Sequence, residues 1–524
     1  MAQVDKLIVT NLSMLRGKYG ARWPRVQAAL RGLIQADAVR GLTTRLVGLD
    51  DAPVLRRHGV SPVTDAEDYR GYKEAIDALW TAHRPDYVMI LGAVDVVPHQ
   101  NLRNPTFGVD DDDDENAWGD LPYACDAPYS GNPADFRAPS RVVGRLPDIN
   151  SHGDTDYIVR LLTRAARYQR WPREEYQAHF GLSTESWKES TALSLKNLFG
   201  SAEDLNTSPA RGKRWTAAAL RARTHFINCH GATIDPFFYG ENAAETRQPR
   251  ALSALMLSRR RRVSEGTVVA AECCYGAELY DPDEAEGRAG ICNTYLYHGA
   301  YGFFGSSTIA YGPPDGNGSA DLICQYFLER VLRGASLGRA ALEARQQFTR
   351  AASVLDPVDL KTLAQFSLLG DPSVHPVGRA PHALRQSRAW RRAFGSAEGG
   401  TRTRKNRREW IVRYALAAEE VIGVTRHRPG VRPSAGVRKA LEVAAREAGV
   451  RQVRFSAHAV QDPVRRRIKA RLGERRVPAS VFVATGSAPA GRENGSGADA
   501  KRTVVLIATV ERGRIVAMRR VDRR

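Results

Sequence analysis

The 524-residue sequence lacks the features that mark secreted and membrane proteins. No apolar stretch approaches the roughly 20 residues that a membrane-spanning helix needs. The N-terminal segment, MAQVDKLIVTNL, also lacks the basic and then apolar pattern of a secretory signal peptide. We therefore expect a soluble cytoplasmic protein without membrane contact.

Cysteine is scarce, and its placement excludes two common uses. The six cysteines do not form a disulfide framework in a chain of this length, and no CxxC pair offers a structural zinc site. We therefore expect no metal and no cofactor. All six lie in one stretch, at Cys125, Cys229, Cys273, Cys274, Cys292 and Cys324.

The net charge of +19 is concentrated at the C-terminal end. Residues 379–524 hold 35 Lys and Arg against 12 Asp and Glu, a net charge of +23, which leaves residues 1–378 at −4. Two interpretations stay open. The excess of arginine can reflect a compositional bias of the genome, or residues 379–524 can contact nucleic acid or another polyanion.

Apolar runs at strand and helix spacing alternate through residues 1–376, which predicts an α/β fold with a mostly parallel sheet flanked by helices. Tyr87–Gly92, for example, is a continuous apolar run typical of a strand buried on both faces. We expect an N-terminal α/β subdomain over residues 1–150 and a catalytic subdomain over residues 151–376.

The sequence changes character after Pro376. Residues 377–408 are basic and indicate a linker, and residues 409–524 are expected to form a small basic α+β domain. This domain should contain a helix near residues 435–448, a loop over residues 486–500, and a closing hairpin of Thr503–Val510 with Arg514–Val521.

Two strand ends carry the chemistry. Thr224–Gly231 is an apolar strand that ends in His230-Gly231, and Thr267–Gly276 is an apolar strand that ends in Cys273-Cys274. Because the carboxyl ends of parallel strands meet at one edge of a sheet, these residues should lie together. The segment Pro249–Arg262 should supply the helix between the two strands.

A histidine beside a cysteine at such an edge predicts nucleophilic catalysis. A thiolate is the nucleophile, and an imidazole with a pKa near neutrality can accept the thiol proton. The backbone N–H groups of Gly231 and of the cysteine can form an oxyanion hole. Other His-Gly pairs occur in the chain, but only His230 closes an apolar strand upstream of a cysteine strand.

This arrangement resembles the clan of caspases, legumain and gingipains, and within it the gingipain family of cysteine peptidases. Over residues 5–376 further segments resemble that family in the same order. They are Pro85–Gly92 with Val97-Pro98, Gly119–Tyr123 with Val143–Pro147, and Gly302–Ser307 with Leu369–Pro372. The resemblance implies a caspase-like fold and an endopeptidase that acts on a protein or peptide substrate through His230 and a cysteine.

The tandem cysteines leave the nucleophile open between two residues. The spacing of the wider clan, an acidic residue two positions before the cysteine and a glycine two after it, selects Cys274. The gingipain spacing, with glycine three residues after the cysteine, selects Cys273. We favour Cys274.

The resemblance also implies a specificity residue. Asp120 matches the family position whose carboxylate lies in the primary pocket of arginine-cleaving members, where it would pair with a substrate Arg or Lys. A turn-forming role is the alternative for this residue. The acidic run at residues 110–115 is expected to be a solvated loop rather than a calcium site, since it lacks EF-hand spacing.

Two other functions compete with the peptidase. The chain can be a non-catalytic caspase-like scaffold or regulatory module that acts through a polyanion-binding tail domain, although the intact His-Gly and cysteine strand ends argue against it. A nucleic-acid-binding protein is supported by charge alone.

Overall fold

The computed structural model describes residues 4–108, 112–210, 215–216, 218–259, 262–313, 316–351 and 355–378 of the body. Beyond these it describes residues 425–427, 432–447, 450, 453–460, 480–489, 501–511 and 514–523. The chain divides into two compact units, residues 1–105 with 114–401 and residues 106–113 with 402–524. Among the described residues, no helix has both the length and the apolar character that a bilayer crossing demands.

The first part of the body alternates strands and helices as predicted. Its strands are β1 (Lys6–Thr10), β2 (Thr44–Gly48), β3 (Tyr87–Leu91), β4 (Gln100–Arg103), β5 (Asn116–Gly119) and β6 (Val143–Leu146). Its helices are α1 (Leu12–Tyr19), α2 (Trp23–Val39), α3 (Ala52–Arg57), α4 (Tyr69–His83) and α5 (Thr155–Arg167). Short 3₁₀ turns lie at Gly20–Arg22, Pro122–Ala124 and Pro133–Phe136.

The second part of the body continues the alternation. Its strands are β7 (His179–Thr184), β8 (Leu205–Ser208), β9 (Thr224–Asn228), β10 (His230–Gly231), β11 (Phe237–Tyr239), β12 (Arg250–Ser253), β13 (Val268–Ala271), β14 (Gly302–Ser306) and β15 (Phe366–Gly370). Its helices are α6 (Glu174–Gln177), α7 (Lys188–Phe199), α8 (Ala254–Ser258), α9 (Ile291–His298), α10 (Ser319–Leu332), α11 (Leu337–Ala351) and α12 (Pro357–Gln365). Further 3₁₀ turns lie at Ala219–Arg221 and Pro282–Ala285.

A ten-stranded sheet organises the body, in the order β2-β1-β3-β6-β15-β14-β13-β9-β7-β8. All neighbours in it are parallel except β14 and β15. The predicted mostly parallel sheet flanked by helices is therefore confirmed. The chain direction reverses between β15 and β14. Because β14, β13 and β9 run parallel to one another, their carboxyl ends lie at the same edge of the sheet.

Apolar clusters cover both faces of the sheet. Val269 and Ala271 of β13 belong to the cluster that includes residues of α2, α5 and α9, whereas Val268 and Ala270 belong to the cluster that includes residues of α10 and α11. This alternation along one strand is the pattern of a sheet buried on both sides. It explains why the central strands are continuous apolar runs in the sequence.

The helix predicted over Pro249–Arg262 is observed only over Ala254–Ser258, and the prediction is wrong for the residues before it. Residues Arg250–Ser253 form β12, which pairs antiparallel with β11. The Ser253 side chain accepts a hydrogen bond from the backbone N–H of Met256, so a helix begins only at Ala254. The polar segment at residues 101–140 likewise contains an unpredicted hairpin of β4 and β5.

The second unit contains an antiparallel sheet in the order β16-β17-β18-β19-β20. Its strands are β16 (Thr425–His427), β17 (Arg454–Val460), β18 (Ser480–Pro489), β19 (Lys501–Glu511) and β20 (Arg514–Arg523), and its helix is α13 (Ala435–Glu447). The predicted helix and the closing hairpin of β19 and β20 are confirmed. The predicted loop is wrong over Gly486–Pro489, which continue β18, and residues 490–500 lie outside the described residues.

Candidate active site

The two predicted strand ends are neighbours in the sheet. β9 and β13 pair in parallel, from Thr224 beside Val268 to Ile227 beside Ala271. The backbone N–H of Glu272 extends this pairing by donating to the Ile227 carbonyl at 2.8 Å. The residues that follow each strand therefore emerge side by side at the carboxyl edge.

A close backbone contact joins the two ends. A Cβ atom built on Gly231 would collide with the carbonyl oxygen of Cys274 and would lie 3.6 Å from the Cβ of Cys273. Only glycine tolerates this approach. The requirement for glycine after His230 is thus steric, and it brings the His230-Gly231 segment against Cys274.

The tandem cysteines have different surroundings. Cys273 is fully buried in the apolar cluster on the α9 side of the sheet, and burial raises the pKa of its thiol well above the usual value. Cys274 is only half-buried, and its Sγ accepts the Ala310 N–H at 3.3 Å. Burial raises the pKa of the Cys274 thiol too, but the Ala310 backbone and the Lys361 charge lower it in part.

The residue after Cys274 holds a left-handed backbone conformation. Tyr275 has φ of 54°, which is unfavourable for a side chain of this size. Its N–H donates to the Thr308 carbonyl at 3.0 Å and its hydroxyl donates to Asp114 Oδ1 at 2.8 Å. These bonds hold a tight turn directly after the two cysteines.

His230 contacts two residues that no sequence motif marks. Its ring centroid lies 4.3 Å from that of Trp187, and its Nε2 lies 3.3 Å from Glu241 Oε1, an electrostatic contact rather than an aligned hydrogen bond. The Glu241 carboxylate also accepts from Ser186 Oγ at 2.8 Å and from Gln248 Nε2 at 3.1 Å.

The surroundings of Glu241 stabilise its ionised form. Burial alone would raise the pKa of Glu241, but the hydrogen bonds from Gln248 and Ser186 and the nearby His230 outweigh it, so the pKa is lowered. The imidazole of His230 and the ionised carboxylate of Glu241 thus lie together, and Gly231 joins their strand end to the Cys274 backbone.

The model of peptidase family C25 matches residues 2–377. The chain belongs to this family. The family resemblance inferred from the sequence is thereby confirmed, and because family C25 comprises cysteine peptidases, the chain is a cysteine-type peptidase and a hydrolase. No curated protein matches the chain. A solved structure described only as a protease is similar over 99% of this chain and 97% of its own, at 12% identity and a TM-score of 0.44.

Asp120 of this C25 peptidase is not available to a substrate. It is 3% exposed, and both carboxylate oxygens accept from Arg145, Oδ2 from Nε at 2.9 Å and Oδ1 from Nη2 at 2.6 Å. Burial alone would raise the pKa of Asp120, but Arg145 holds it below the usual value. The carboxylate assigned to substrate specificity is therefore occupied by an internal guanidinium.

We expect Asp120→Asn to destabilise the protein. Arg145 is itself completely buried, so the variant leaves its charge unpaired, which costs about 3–5 kcal/mol of unfolding free energy. Denaturant unfolding of the full chain checks this. Asp126→Asn is the control. Asp126 is exposed, and its buried partner Arg141 keeps a second ion pair with Asp77, so this change should cost at most about 1 kcal/mol. An Asp120→Asn variant of parental stability with altered cleavage preference would instead restore the specificity role.

The acidic run is less solvated than expected. Asp113 and Glu115 are exposed, but Asp112 is buried and accepts from Thr106 Oγ1 at 2.7 Å. Asp114 is 14% exposed and bonds to Lys361, while residues 109–111 lie outside the described residues.

A separate, partly exposed group consists of His152, Asp281 and Asp283. Their ligand atoms lie within 4.8 Å of one another, and this is the one set among the described residues that could hold a metal.

A buried acid pair lies directly before the cysteines in this C25 chain. Glu272 lies beside Asp321 of α10, and Asp321 Oδ1 accepts from Ser190 Oγ at 2.5 Å. Burial raises the pKa of Glu272 well above its usual value, with a further rise from Asp321, and burial raises the pKa of Asp321 to about 6. The folded protein therefore holds a proton that the unfolded chain releases.

This pair predicts a loss of stability at alkaline pH. Because both folded pKa values are raised, the stabilisation is complete at acidic pH and is lost as the pH rises through about 6 and above. Each pH unit between the unfolded pKa and the raised folded pKa costs about 1.4 kcal/mol per carboxyl. Denaturant unfolding is compared at pH 5.5 and 8.5. Between these pH values Glu272→Gln should lose less stability than the parent. Glu189→Gln, at an exposed site on α7, is the control and should lose as much stability as the parent. An equal loss in parent and Glu272→Gln would exclude the pair as the cause.

Proposed function

We propose that this C25 peptidase is an endopeptidase that cleaves peptide bonds with Cys274 as nucleophile and His230 as acid–base partner. The contact between Gly231 and the Cys274 backbone carries the proposal, because it joins the two strand ends in one site. The half-buried thiol of Cys274 supports this residue over the fully buried Cys273.

The proposed reaction has two steps. His230 accepts the Cys274 thiol proton, the thiolate attacks the scissile carbonyl carbon, and the backbone N–H groups of Gly231 and Cys274 stabilise the oxyanion. His230 then gives its proton to the leaving amine as the C–N bond breaks and a thioester forms. A water molecule, deprotonated by His230, hydrolyses that thioester and releases the free thiol.

The thioester is the species that tests the proposal. Peptide esters acylate faster than they deacylate, so acid quenching during their turnover should trap the acyl group. We expect mass spectrometry of the digested protein to find it on the Cys274 side chain. Turnover of the ester with no acyl-cysteine, and with undiminished rate in Cys274→Ala, would contradict the proposed nucleophile.

Glu241 is proposed to position His230. Glu241→Gln should lower kcat by at least about tenfold with KM little changed, because the imidazole loses the carboxylate that orients it. Steady-state peptide hydrolysis measures both constants, and thermal unfolding shows whether the variant is folded. Glu245→Gln, an exposed change in the same loop, is the control and should alter neither kcat nor KM. A parental kcat in folded Glu241→Gln would remove the positioning role.

Three finer expectations from the sequence stay predictions. Cleavage after Arg or Lys would need a carboxylate other than Asp120. Polyanion contact by residues 379–524 rests on their charge alone, as does the alternative of a scaffold or regulatory module acting through this tail. The cytoplasmic location likewise rests on the sequence.

A further inference from the structure

The segment that contacts the Cys274 thiol is held by the half-buried carboxylate of Asp114. Ala310 donates its N–H to Cys274 Sγ at 3.3 Å, and its carbonyl lies 3.6 Å from the same sulfur. The preceding residue, Ile309, donates its N–H to Asp114 Oδ2 at 2.9 Å. Asp114 therefore fixes the backbone that touches the thiol on one side.

The same carboxylate fixes the other side of the thiol. Asp114 Oδ1 accepts from the hydroxyl of Tyr275, the residue that follows Cys274 in a left-handed conformation. A strained residue of this kind persists only where its surroundings hold it. One carboxylate thus bonds to both chain segments that flank Cys274.

A buried cation balances this carboxylate. Lys361 of α12 is completely buried, and its Nζ lies 3.3 Å from Asp114 Oδ2. The two charges act on the thiol in opposite senses, since Lys361 lowers the pKa of Cys274 and Asp114 raises it. Among the described residues, the adjacent Cys273 thiol and the hydroxyl of Tyr275, which bonds to Asp114, are further titratable groups near Cys274.

We propose that the Asp114–Lys361 ion pair positions the Cys274 nucleophile by anchoring Ala310 and Tyr275 on its two sides and by balancing the charge beside it. This inference rests on the proposed function, because it deepens the role of Cys274. Asp114 and Lys361 are positioning residues, acting through the backbone and the electric field rather than by touching the substrate.

Substituting Lys361 or Asp114 alone should change the reactivity of the Cys274 thiol in opposite directions. Lys361→Met should slow alkylation of Cys274 by iodoacetamide at pH 7 about tenfold, and Asp114→Asn should speed it by about the same factor. Fragment-ion mapping separates Cys274 from Cys273. The control is Lys73→Met, which removes another completely buried lysine, paired with Asp77, and should leave the alkylation profile unchanged. Shifts of both single variants in the same direction, or no shift in either, would overturn the inference.

The double variant Asp114→Asn with Lys361→Met covers the case in which a single variant fails to fold. It removes both charges of the pair, so its alkylation profile should return close to that of the parent. Its kcat for peptide hydrolysis should still fall at least about tenfold, with KM little changed, because the anchor is weakened. Parental kcat in the double variant would overturn the inference while leaving Cys274 as the nucleophile. Hydrolysis that survives Cys274→Ala would instead remove the proposed function.

Discussion

Cys274→Ala abolishes peptide hydrolysis, and Cys273→Ala retains a measurable fraction of it, if Cys274 is the nucleophile. Removing the attacking group leaves only the residual rate that binding and oxyanion stabilisation provide, a loss of several orders of magnitude. Cys273 lies in the apolar core, so its truncation removes packing rather than chemistry. Initial rates on a fluorogenic peptide, with far-ultraviolet circular dichroism of each variant, check both expectations.

A third cysteine supplies the matched control for this comparison. Cys324 is fully buried on α10, and burial raises the pKa of its thiol well above the usual value. Cys324→Ala should therefore lower stability and spare the specific activity of the folded protein. Full activity in Cys274→Ala together with complete loss in Cys273→Ala would exchange the two roles and leave the enzyme class intact.

His230→Ala is expected to lower turnover by several orders of magnitude without unfolding the chain. The imidazole is half-buried at the edge of the sheet, so its loss leaves no large cavity. In the proposed reaction, the variant lacks the group that accepts the thiol proton and protonates the leaving amine. Turnover, alkylation rate at neutral pH and thermal unfolding of the variant measure these effects separately.

His298→Ala is the control for His230→Ala. His298 is also followed by glycine, but it ends α9, and Gly299 has φ of 147° as the residue that terminates this helix. Its substitution should leave activity nearly unchanged. A strong loss of activity in His298→Ala with none in His230→Ala would overturn the site.

The strand ends of the site could be predicted because their signal is local. A strand buried on both faces favours apolar residues. β13 is a continuous apolar run, β9 has Phe226 and Ile227 at its centre, and the two strands are followed by the cysteines and by His-Gly. The backbone geometry after β13 could not be predicted. It depends on the left-handed conformation of Tyr275, which is held by Thr308 and Asp114 from distant parts of the chain.

Long-range partners explain what the sequence concealed. Glu241 returns beside His230 because β11 pairs antiparallel with β10, and no motif marks that pairing. The segments containing Asp120 and Arg145 were both recognised as family-like, but spacing alone does not reveal that the two side chains form a bidentate pair. A carboxylate in a recognised segment therefore indicated the family correctly and the specificity residue incorrectly.

Covalent labelling tests the central claim most directly. The native chain is incubated with a panel of peptidyl chloromethyl ketones that carry basic or apolar residues at the cleavage position. Loss of activity is followed, and the alkylated residue is mapped by fragment-ion mass spectrometry. We predict one modification, on Cys274, that forms in step with inactivation and is strongly slowed in His230→Ala. Inactivation with the label on Cys273, or on a residue outside the site, would contradict it.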